Sequence, residues 1–485
     1  MHRVGGLALG MLLLATSIQA RAQESGVATV RSNSTLSFWF GDDDVLHANS
    51  ASPAADIGDR PGFSALVDDR VARNTGRENQ SELVLSLARP GFWPHVETAL
   101  ELRARVDWDG LLGRGSQAQP FEDASSFLRV SYLVREAPRW ALSFTAYPID
   151  ADRVRLGYLR DLTWGGSDVG RDESVFPGLQ GTAPAALVSF ESPRVECWVG
   201  FKTARLREAS PQGAPVEASN YGGLAGLSAR AGFVRVEVEL AGFEQGRFAA
   251  AVAPPVRRLV VGSSARMTVG DGTNSPRAPG LFLLNGLPLD SRWETVRRGW
   301  SISAEVSLLA QRLATGQGAL ALVPERAGAI VASTAWDGPW LAALAEYRDL
   351  MFVLRNAPGF IAGQTLPFGA HARPELSSAI ELGYHFSALH LAPSVEFGAR
   401  WPAAVVAADG RMLLVEGPHT YAPLANQRIQ PVLAARAGLV IEASALLDSL
   451  SFIEYEFDDN LSQTNEALRH APWRLGFGLG LRARF

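Results

Sequence analysis

The sequence predicts an all-β protein, a transmembrane antiparallel up-and-down β-barrel of about 16 or 18 strands with long extracellular loops. Three observations lead to this fold class. Segments in which apolar and polar residues alternate with a period of two recur along the 485 residues. The chain begins with an export signal. No later stretch offers the roughly 18 uncharged apolar residues that a membrane helix requires.

The first residues predict secretion. Arg3 gives a short basic start, Leu7–Ile18 is an apolar stretch, and Ala20–Ala22 fits the small-residue pattern of a signal-peptidase site. The apolar stretch is too short to span a bilayer comfortably. We therefore expect residues 1–22 to be removed as a signal peptide and residues 23–485 to form a single β-barrel domain.

Composition excludes several classes of protein. A net charge of −5 disfavours a nucleic-acid binder that works through bulk electrostatic attraction. Apolar residues at 47% and aromatic residues at 9% exclude a disordered chain. The single cysteine, Cys197, excludes a disulfide scaffold and a cysteine-based zinc site. Cys197 also falls among the apolar positions of its strand, which predicts a lipid-facing side chain.

The last thirteen residues, 473–485, show the alternation most clearly. Every odd position is apolar, and every even position is glycine or arginine. A period of two gives a strand with one apolar and one polar face. Thirteen residues exceed the mean strand of a soluble protein and suit a tilted crossing of a bilayer. A soluble sandwich whose last strand happens to alternate is the alternative interpretation.

This strand, which ends on phenylalanine, resembles the C-terminal signal of bacterial outer-membrane β-barrel proteins. The resemblance implies that the barrel-assembly machinery reads the strand and that the protein lies among outer-membrane lipid and lipopolysaccharide. The residues that carry the assembly signal are then Trp473, Phe477, Leu481 and Phe485. Beyond this segment, the chain resembles porins and polysaccharide-export barrels only in its general pattern.

Alternation of the same kind predicts many further strands. The main candidates are Thr35–Phe40, Glu82–Ala88, Val96–Trp108, Phe127–Arg135, Trp140–Tyr147, Arg153–Arg160, Ala185–Phe190, Arg194–Thr203, Tyr221–Arg230, Val234–Leu240, Trp300–Leu308, Ile330–Trp336, Trp340–Tyr347, Ile380–Phe386, Leu389–Trp401, Val432–Glu442 and Leu450–Phe457. Asp337-Gly338 is typical of a hairpin turn, and Ser387-Ala388 predicts a second tight turn. Long gaps predict loops on the outer side, with short turns facing the periplasm. These gaps are Gly41–Gln80, Asp161–Pro184, Leu206–Asn220 and Asp271–Thr295.

The polar faces of these strands predict a wet lumen, because charged groups inside a membrane remain hydrated only there. The predicted pore-lining residues are Glu97, Glu101, Arg103, Arg105, Arg235, Glu237, Glu239, Glu381, His385, His390, Glu396, Arg400, Arg474 and Arg482. Both signs of charge occur among them, which argues against a filter of one charge. Hydrophilic solutes or ions are therefore expected to pass.

The segment 153–172 has two interpretations. It mixes both signs of charge with several glycines, so it folds inward as a constriction or forms an ordinary surface loop. In the first case the constriction residues are Arg155, Arg160, Asp161, Asp168 and Arg171.

Catalytic and metal-binding chemistry is not expected. The sequence contains no GxSxG, HExxH, phosphate-loop or CxxC motif. His385 and His390 flank one turn with Glu381 and Glu396 nearby, an arrangement that allows a metal site without requiring one. We interpret these groups as polar residues at a water-filled mouth and expect no cofactor.

Three functions remain open at this point. The leading hypothesis is a porin-like channel that conducts small hydrophilic solutes or ions by passive diffusion, and such a protein is not an enzyme. The second is a conduit for polysaccharide export that works with periplasmic partners. The third is a plugged barrel that acts as a scaffold or adhesin. The sequence leaves a homotrimer open and gives no reason to expect nucleic acid as a partner.

Deletion of Phe485 tests the assembly signal. We expect the truncated protein to be depleted from the outer membrane, because the terminal aromatic residue completes the strand that the assembly machinery reads. Quantifying heat-modifiable, folded protein in membrane fractions checks this result. Normal insertion of the truncated chain would contradict the assignment.

Overall fold

In the computed structural model, the described residues cover most of the chain after its first 30 residues. They are 31–32, 34–42, 77–90, 93–107, 121–123, 126–149, 154, 156–157, 184–209, 215–250, 253–271, 278–279, 281, 298–314, 320–353, 371–406, 410, 412–416, 419–421, 428–444, 446–462 and 471–484. The predicted signal peptide and Phe485 lie outside these residues.

Strands dominate the described chain. The first twelve are β1 (Arg31–Ser32), β2 (Thr35–Asp42), β3 (Arg77–Pro90), β4 (Val96–Asp107), β5 (Phe121–Asp123), β6 (Phe127–Arg135), β7 (Trp140–Tyr147), β8 (Ala185–Glu191), β9 (Val195–Ala209), β10 (Pro215–Ala231), β11 (Val234–Ala250) and β12 (Ala253–Gly270). The others are β13 (Arg298–Ala314), β14 (Leu320–Trp336), β15 (Pro339–Arg348), β16 (His371–Arg373), β17 (Glu375–Tyr384), β18 (Leu391–Trp401), β19 (Ala404–Val406), β20 (Met412–Glu416), β21 (His419–Tyr421), β22 (Val432–Ser444), β23 (Leu447–Phe457) and β24 (Trp473–Arg484). Two single-turn helices accompany them, α1 (Leu350–Val353) and α2 (Asp459–Ser462). No helix within the described ranges is long and apolar enough to cross a membrane.

One antiparallel sheet of 20 strand segments contains nearly all of these strands. The short segment β1 pairs with β3 next to β2, and the short segment β5 pairs with β4 next to β6. Counted as parts of β2 and β6, these two segments leave 18 strands in the sheet. The ladder returns to its start, because β2 pairs with both β3 and β24. The described chain therefore forms an 18-stranded ring without a free edge, and this confirms the predicted all-β barrel.

A second, four-stranded sheet consists of β16, β19, β20 and β21. It lies next to β17 and β18 in the chain, since β16 precedes β17 and β19 follows β18. Ala403, Ala404 and Leu414 are buried there.

The two faces of the ring have opposite character. On β11, Leu240 is 57% exposed, whereas its neighbour Glu239 is 6% exposed. The same alternation runs through β17 and β23, where apolar side chains point outward and are exposed while charged side chains point inward and are buried. A water-soluble protein rarely exposes a continuous apolar surface of this size. The outward face is therefore suited to lipid rather than water.

Exposed aromatic side chains lie at both ends of the strands. At one end they include Trp93, Phe233, Trp300, Trp336 and Tyr384. At the other end they include Tyr221, Tyr347, Trp401, Tyr455 and Trp473. Two such girdles mark the interfaces of a bilayer, where an amphipathic ring is most stable.

Most connections at one end of the ring are short, whereas most at the other end are long, except those after β9, β11 and β13. Short connections follow β3, β6, β8, β10, β14, β17 and β22, at the same end as β2 starts and β24 finishes. We call this the short-turn end. The hairpin predicted at Asp337-Gly338 is confirmed, with both residues at positive φ.

Three details of the sequence interpretation were wrong. The strand expected at Arg153–Arg160 is not found in its three described residues, because Val154 and Gly157 lie outside any strand and Leu156 forms only an isolated bridge. The gap Leu206–Asn220 is largely strand, since β9 and β10 extend into it. The connection between β12 and β13 is long but starts at the short-turn end, not at the end of the long loops.

Strand β12 was not among the predicted strands. Its sequence places two prolines side by side, then two arginines and two valines. These doublets interrupt the period of two, although the strand pairs with β11 from Ala253 to Val269, with two register shifts, and with β13 from Val260 to Gly270. Pairing with a neighbouring strand therefore outweighs the local pattern.

A matched pair of substitutions tests which face meets lipid. Leu102 is 48% exposed on the outward face of β4, and Glu101 points inward beside it. We expect Leu102→Arg to lower the free energy of unfolding by about 2–4 kcal/mol, because the charge enters the apolar layer. Glu101→Arg should change ion selectivity and leave stability nearly unchanged. Urea unfolding in liposomes measures both variants, and equal losses of stability would contradict the assignment of faces.

Candidate pore lining

The predicted pore-lining residues occupy two kinds of environment on the inward face. Seven are buried, namely Glu237, Glu239, Glu381, Glu396, Arg400, Arg474 and Arg482. Four are half-buried, namely Glu97, Glu101, Arg103 and Arg235. The side chain of Arg105 lies outside the described residues. Their role in permeation stays a prediction, but the strand pattern places these side chains on the polar face.

His385 and His390 lie at the short-turn end, in the connection between β17 and β18. Both rings face Glu442, with His385 Nε2 at 3.5 Å and His390 Nδ1 at 3.9 Å from its Oε2. Sequence proximity had suggested Glu381 and Glu396 as the nearby acids, and it missed Glu442 because this residue is about 50 positions away. Within the described ranges, no group of three or more His, Cys, Asp or Glu residues could hold a metal ion.

Buried ion pairs cover the wall from β15 to β24. Arg436 stands opposite Glu396 and Glu454 on the two neighbouring strands, and its guanidinium lies 3.6 Å and 2.6 Å from their carboxylates. Arg474 faces Glu456 at 3.3 Å in the same way. Direct opposition across antiparallel strands brings these side chains together without a loop.

A second group of pairs lies where β15 ends and β17 begins, at the end of the ring opposite the short-turn end. Arg348 pairs with Glu346 at 3.1 Å and with Glu375, which also accepts a hydrogen bond from Arg400 at 3.5 Å. Removing these charges from water is costly, and only close pairing compensates for it. The pairs therefore hold charged residues in the wall while nearly cancelling their fields.

Hydroxyl groups line the wall from β6 to β13. Ser131 and Ser143 hydrogen-bond across β6 and β7 at 2.8 Å. Thr268 and Ser303 do the same across β12 and β13 at 2.9 Å. Glu305 accepts a hydrogen bond of 3.0 Å from Ser264. This part of the wall is polar but carries fewer charges than the ion-paired part.

Residues 154, 156 and 157, the 154–157 segment, lie inside the ring. The ammonium group of Lys202 donates a 3.1 Å hydrogen bond to the Val154 carbonyl, and the Gly157 amide donates one of 2.7 Å to Glu239 Oε2. Leu156 is 1% exposed. It belongs to an apolar cluster with inward-facing residues of the wall and with α1. The cluster comprises Tyr147, Val154, Leu156, Ala185, Leu224, Ala241, Phe243, Val260, Leu309, Ala327 and Phe352.

Residues 278, 279 and 281, the 278–281 segment, enter from the short-turn end. The Leu281 amide donates a 3.0 Å hydrogen bond to Glu396 Oε2, and its side chain is completely buried against Ala379, Val432 and Ala434. Ala278 packs against a different part of the wall, formed by β14 and β15. Both segments are thus anchored alike, by a backbone amide on a wall carboxylate and a leucine in an apolar patch.

Three glycines, Gly222, Gly226 and Gly383, make room for aromatic rings on the inward face. A Cβ atom on Gly222 would lie 1.8 Å from the ring of Phe243, and one on Gly383 would lie 2.0 Å from the indole of Trp340. The Trp340 indole N–H donates a 3.2 Å hydrogen bond to Glu381. The rings therefore lie flat across the neighbouring strand instead of projecting into the lumen.

One charged pair lies at the short-turn end in contact with solvent. The Arg139 guanidinium is 2.9 Å from the Glu97 carboxylate, and both side chains are more than two-fifths exposed. The hydrogen bond from Arg139 to Glu97 raises the pKa of Arg139 above its usual value. Solvent screening keeps the contribution of such a pair small.

No protein-family model matches this chain, and no curated protein does. Solved structures do. OccK11 (OpdR) of Pseudomonas aeruginosa has a TM-score of 0.45 and 10% identity, over 94% of this chain and 96% of that chain. A BenF-like porin of Pseudomonas fluorescens Pf-5 has a TM-score of 0.49 and 8% identity, over 94% and 98%. OccAB3 of Acinetobacter baumannii has a TM-score of 0.47 and 8% identity, over 94% and 99%.

The predicted constriction residues lie outside the described residues. These are Arg155, Arg160, Asp161, Asp168 and Arg171. Val154 and Leu156, on either side of Arg155, are buried inside the ring. The inward position of these five charged residues therefore remains a prediction. Their described neighbours Val154 and Leu156 do lie on the inward side.

Sequence reasoning missed the 278–281 segment. A signal was present, since Leu281–Leu284 is an apolar run inside a connection rich in Gly, Pro and Asp. Phe352 and Lys202 were also missed as anchors of the inner packing. The alternation of apolar and polar residues predicted which side chains point inward. It did not predict which of these inward side chains contact another segment inside the ring.

Removing Arg474 tests the buried pairs. We expect Arg474→Ala to lower the free energy of unfolding by about 3–5 kcal/mol, because the buried Glu456 would lose its ion pair with Arg474. The control is Arg139→Ala, which removes the exposed pair with Glu97 and should cost at most about 1 kcal/mol. Urea titrations of the refolded variants measure the free energy of unfolding of both. Similar losses of stability in the two variants would contradict the expectation that the buried pair contributes more than the exposed one.

Proposed function

We propose that the chain is an outer-membrane, porin-like channel that conducts small hydrophilic solutes or ions by passive diffusion. The observation that carries the proposal is the opposition of the two faces, with apolar side chains exposed outside and charged or hydroxyl side chains inside. A closed ring of this size encloses more space than its own wall side chains fill. A polar interior in an apolar shell is the arrangement that lets hydrophilic molecules cross lipid.

The proposal includes the route by which the protein reaches its membrane. Residues 1–22 direct export and are removed, and residues 23–485 insert as one barrel with the help of the assembly machinery. Lipid and lipopolysaccharide then surround the apolar band. Diffusion through a pore requires no chemical step, so the protein acts without a cofactor and not as an enzyme.

The inner segments bear on the size of the solutes. The 154–157 segment and the 278–281 segment occupy space on different parts of the wall. They narrow the lumen, which favours small solutes over a polysaccharide chain. The same observation favours a second candidate function, a plugged barrel that serves as a scaffold or adhesin.

Single-channel recording separates these functions. The refolded protein is inserted into a planar bilayer under a salt gradient. We expect discrete, stable current steps with a reversal potential near zero, because both signs of charge line the wall. Folded protein that inserts but passes no current would overturn the channel and favour the plugged barrel.

A further inference from the structure

The inward face is not equally accessible around the ring. On β13, β23 and β24 every inward-facing side chain of the described central part is buried, from Ser301 to Leu309, Asp448 to Glu456 and Arg474 to Arg482. On β3 and β4 the described inward-facing side chains are half-buried, except Ala88, which is exposed, and on β6 that of Arg129 is exposed. We call the inward faces of β3, β4 and the Arg129 region of β6 the open arc.

The open arc reaches the middle of the barrel. Arg129 lies six residues before the end of β6 at Arg135, and Glu101 lies five residues after the start of β4 at Val96. Exposure at these positions is therefore not the ordinary exposure of a strand end. At comparable depth on other strands, Glu239 and Glu305 are buried.

Contacts on the wall explain why Arg129 stays accessible. Its Nε atom donates a 3.0 Å hydrogen bond to Thr145, and its guanidinium carbon lies 5.2 Å from the centre of the Phe127 ring. Directly across the ladder stands Ala99, whose methyl side chain leaves the space above the guanidinium open. The charge is thus held against the wall with one side toward the lumen.

The two inner segments cover other parts of the wall. The 154–157 segment contacts β9 and β11 through Lys202 and Glu239, and the 278–281 segment contacts β18 through Glu396. Their apolar clusters include wall residues from β7 to β22, and Phe127 of β6 packs against the cluster of the 154–157 segment. Among the described residues, none of these apolar clusters includes a residue of β3 or β4.

We propose that permeating solutes follow the open arc, and that Glu101, Arg103 and Arg129 are the wall charges they meet at mid-depth. This inference rests on the proposed channel function. The buried Arg–Glu pairs of β15 to β24 then hold the wall together and do not select solutes. The pathway is displaced to one side of the ring.

Cysteine accessibility tests the pathway. Ser86 and Ser303 both point inward, four residues from the end of β3 and five residues from the start of β13. Ser86 is half-buried, whereas Ser303 is 0% exposed. Ser86→Cys and Ser303→Cys are made in a Cys197→Ser background, so each protein carries one small, matched thiol.

The probe is the anionic reagent 2-sulfonatoethyl methanethiosulfonate. The cysteine thiolate attacks its sulfenyl sulfur, a mixed disulfide forms, and methanesulfinate leaves. We expect the S86C thiol to react on the order of tenfold faster than the S303C thiol, because reaction requires exposure. Modification should also lower the single-channel current of S86C. Equal rates, or an unreactive S86C, would overturn the open arc.

Two readouts separate this inference from the channel function. Mass spectrometry of protein in liposomes measures modification whether or not current flows. Absence of current from the unmodified proteins contradicts the channel function, whereas reaction of S303C as fast as S86C contradicts only the pathway. As a second measurement, Glu101→Gln and Arg129→Gln should shift the reversal potential in opposite directions, toward anions and toward cations respectively. Unchanged reversal potentials in both would also overturn the pathway.

Discussion

Backbone hydrogen bonding in an apolar solvent is the constraint on which the rest of this structure depends. Lipid offers no partner for a free N–H or C=O group, so each strand must have two neighbours. The pairing of β2 with both β3 and β24 supplies the last neighbours and closes the ring. Once the ring is closed, every strand has one side toward lipid and one side toward the interior, and the period of two in the sequence follows.

Closure also determines where charge is placed. Side chains that lipid would reject point inward, where they face their counterparts on the adjacent strand, as Arg436 faces Glu396 and Glu454. Such pairs are weak evidence for stability by themselves, because the free energy lost when the charges leave water is nearly as large as the free energy gained from their attraction. Their effect is to neutralise most of the wall, whereas in the open arc at mid-depth Arg129 is exposed and Glu101 and Arg103 are half-buried.

The sequence predicted the fold because the period of two is a local property. Alternation in residues 473–485 and around Leu240 revealed both the strands and their faces without any knowledge of neighbours. Where the local pattern was interrupted, as by the proline and arginine doublets of β12, prediction failed although this part of the strand pairs with β11. The strand prediction for residues 153–160 failed for the opposite reason. There the local pattern is intact, since Val154 and Leu156 are spaced as in a strand, but both residues are buried within the ring.

The pore lining was predictable only as a set of polar positions. The alternation along the strands assigns both Glu239 and Glu101 to the inward face. Glu239 nevertheless anchors the 154–157 segment, whereas Glu101 is half-buried. This difference depends on segments folded inside the ring, more than 80 residues apart in sequence, as for Gly157 and Glu239. Contacts at that separation leave no periodic trace in the chain.

The central claim, that lipid covers one face of each strand and water reaches the other, is tested most directly by a nitroxide scan of residues 98–103 in liposomes. We expect oxygen, which concentrates in lipid, to relax labels best at 98, 100 and 102. A water-soluble nickel complex should relax labels best at 99, 101 and 103. Relaxation by nickel that is equal at all six positions, or strongest at 100 and 102, would contradict the account.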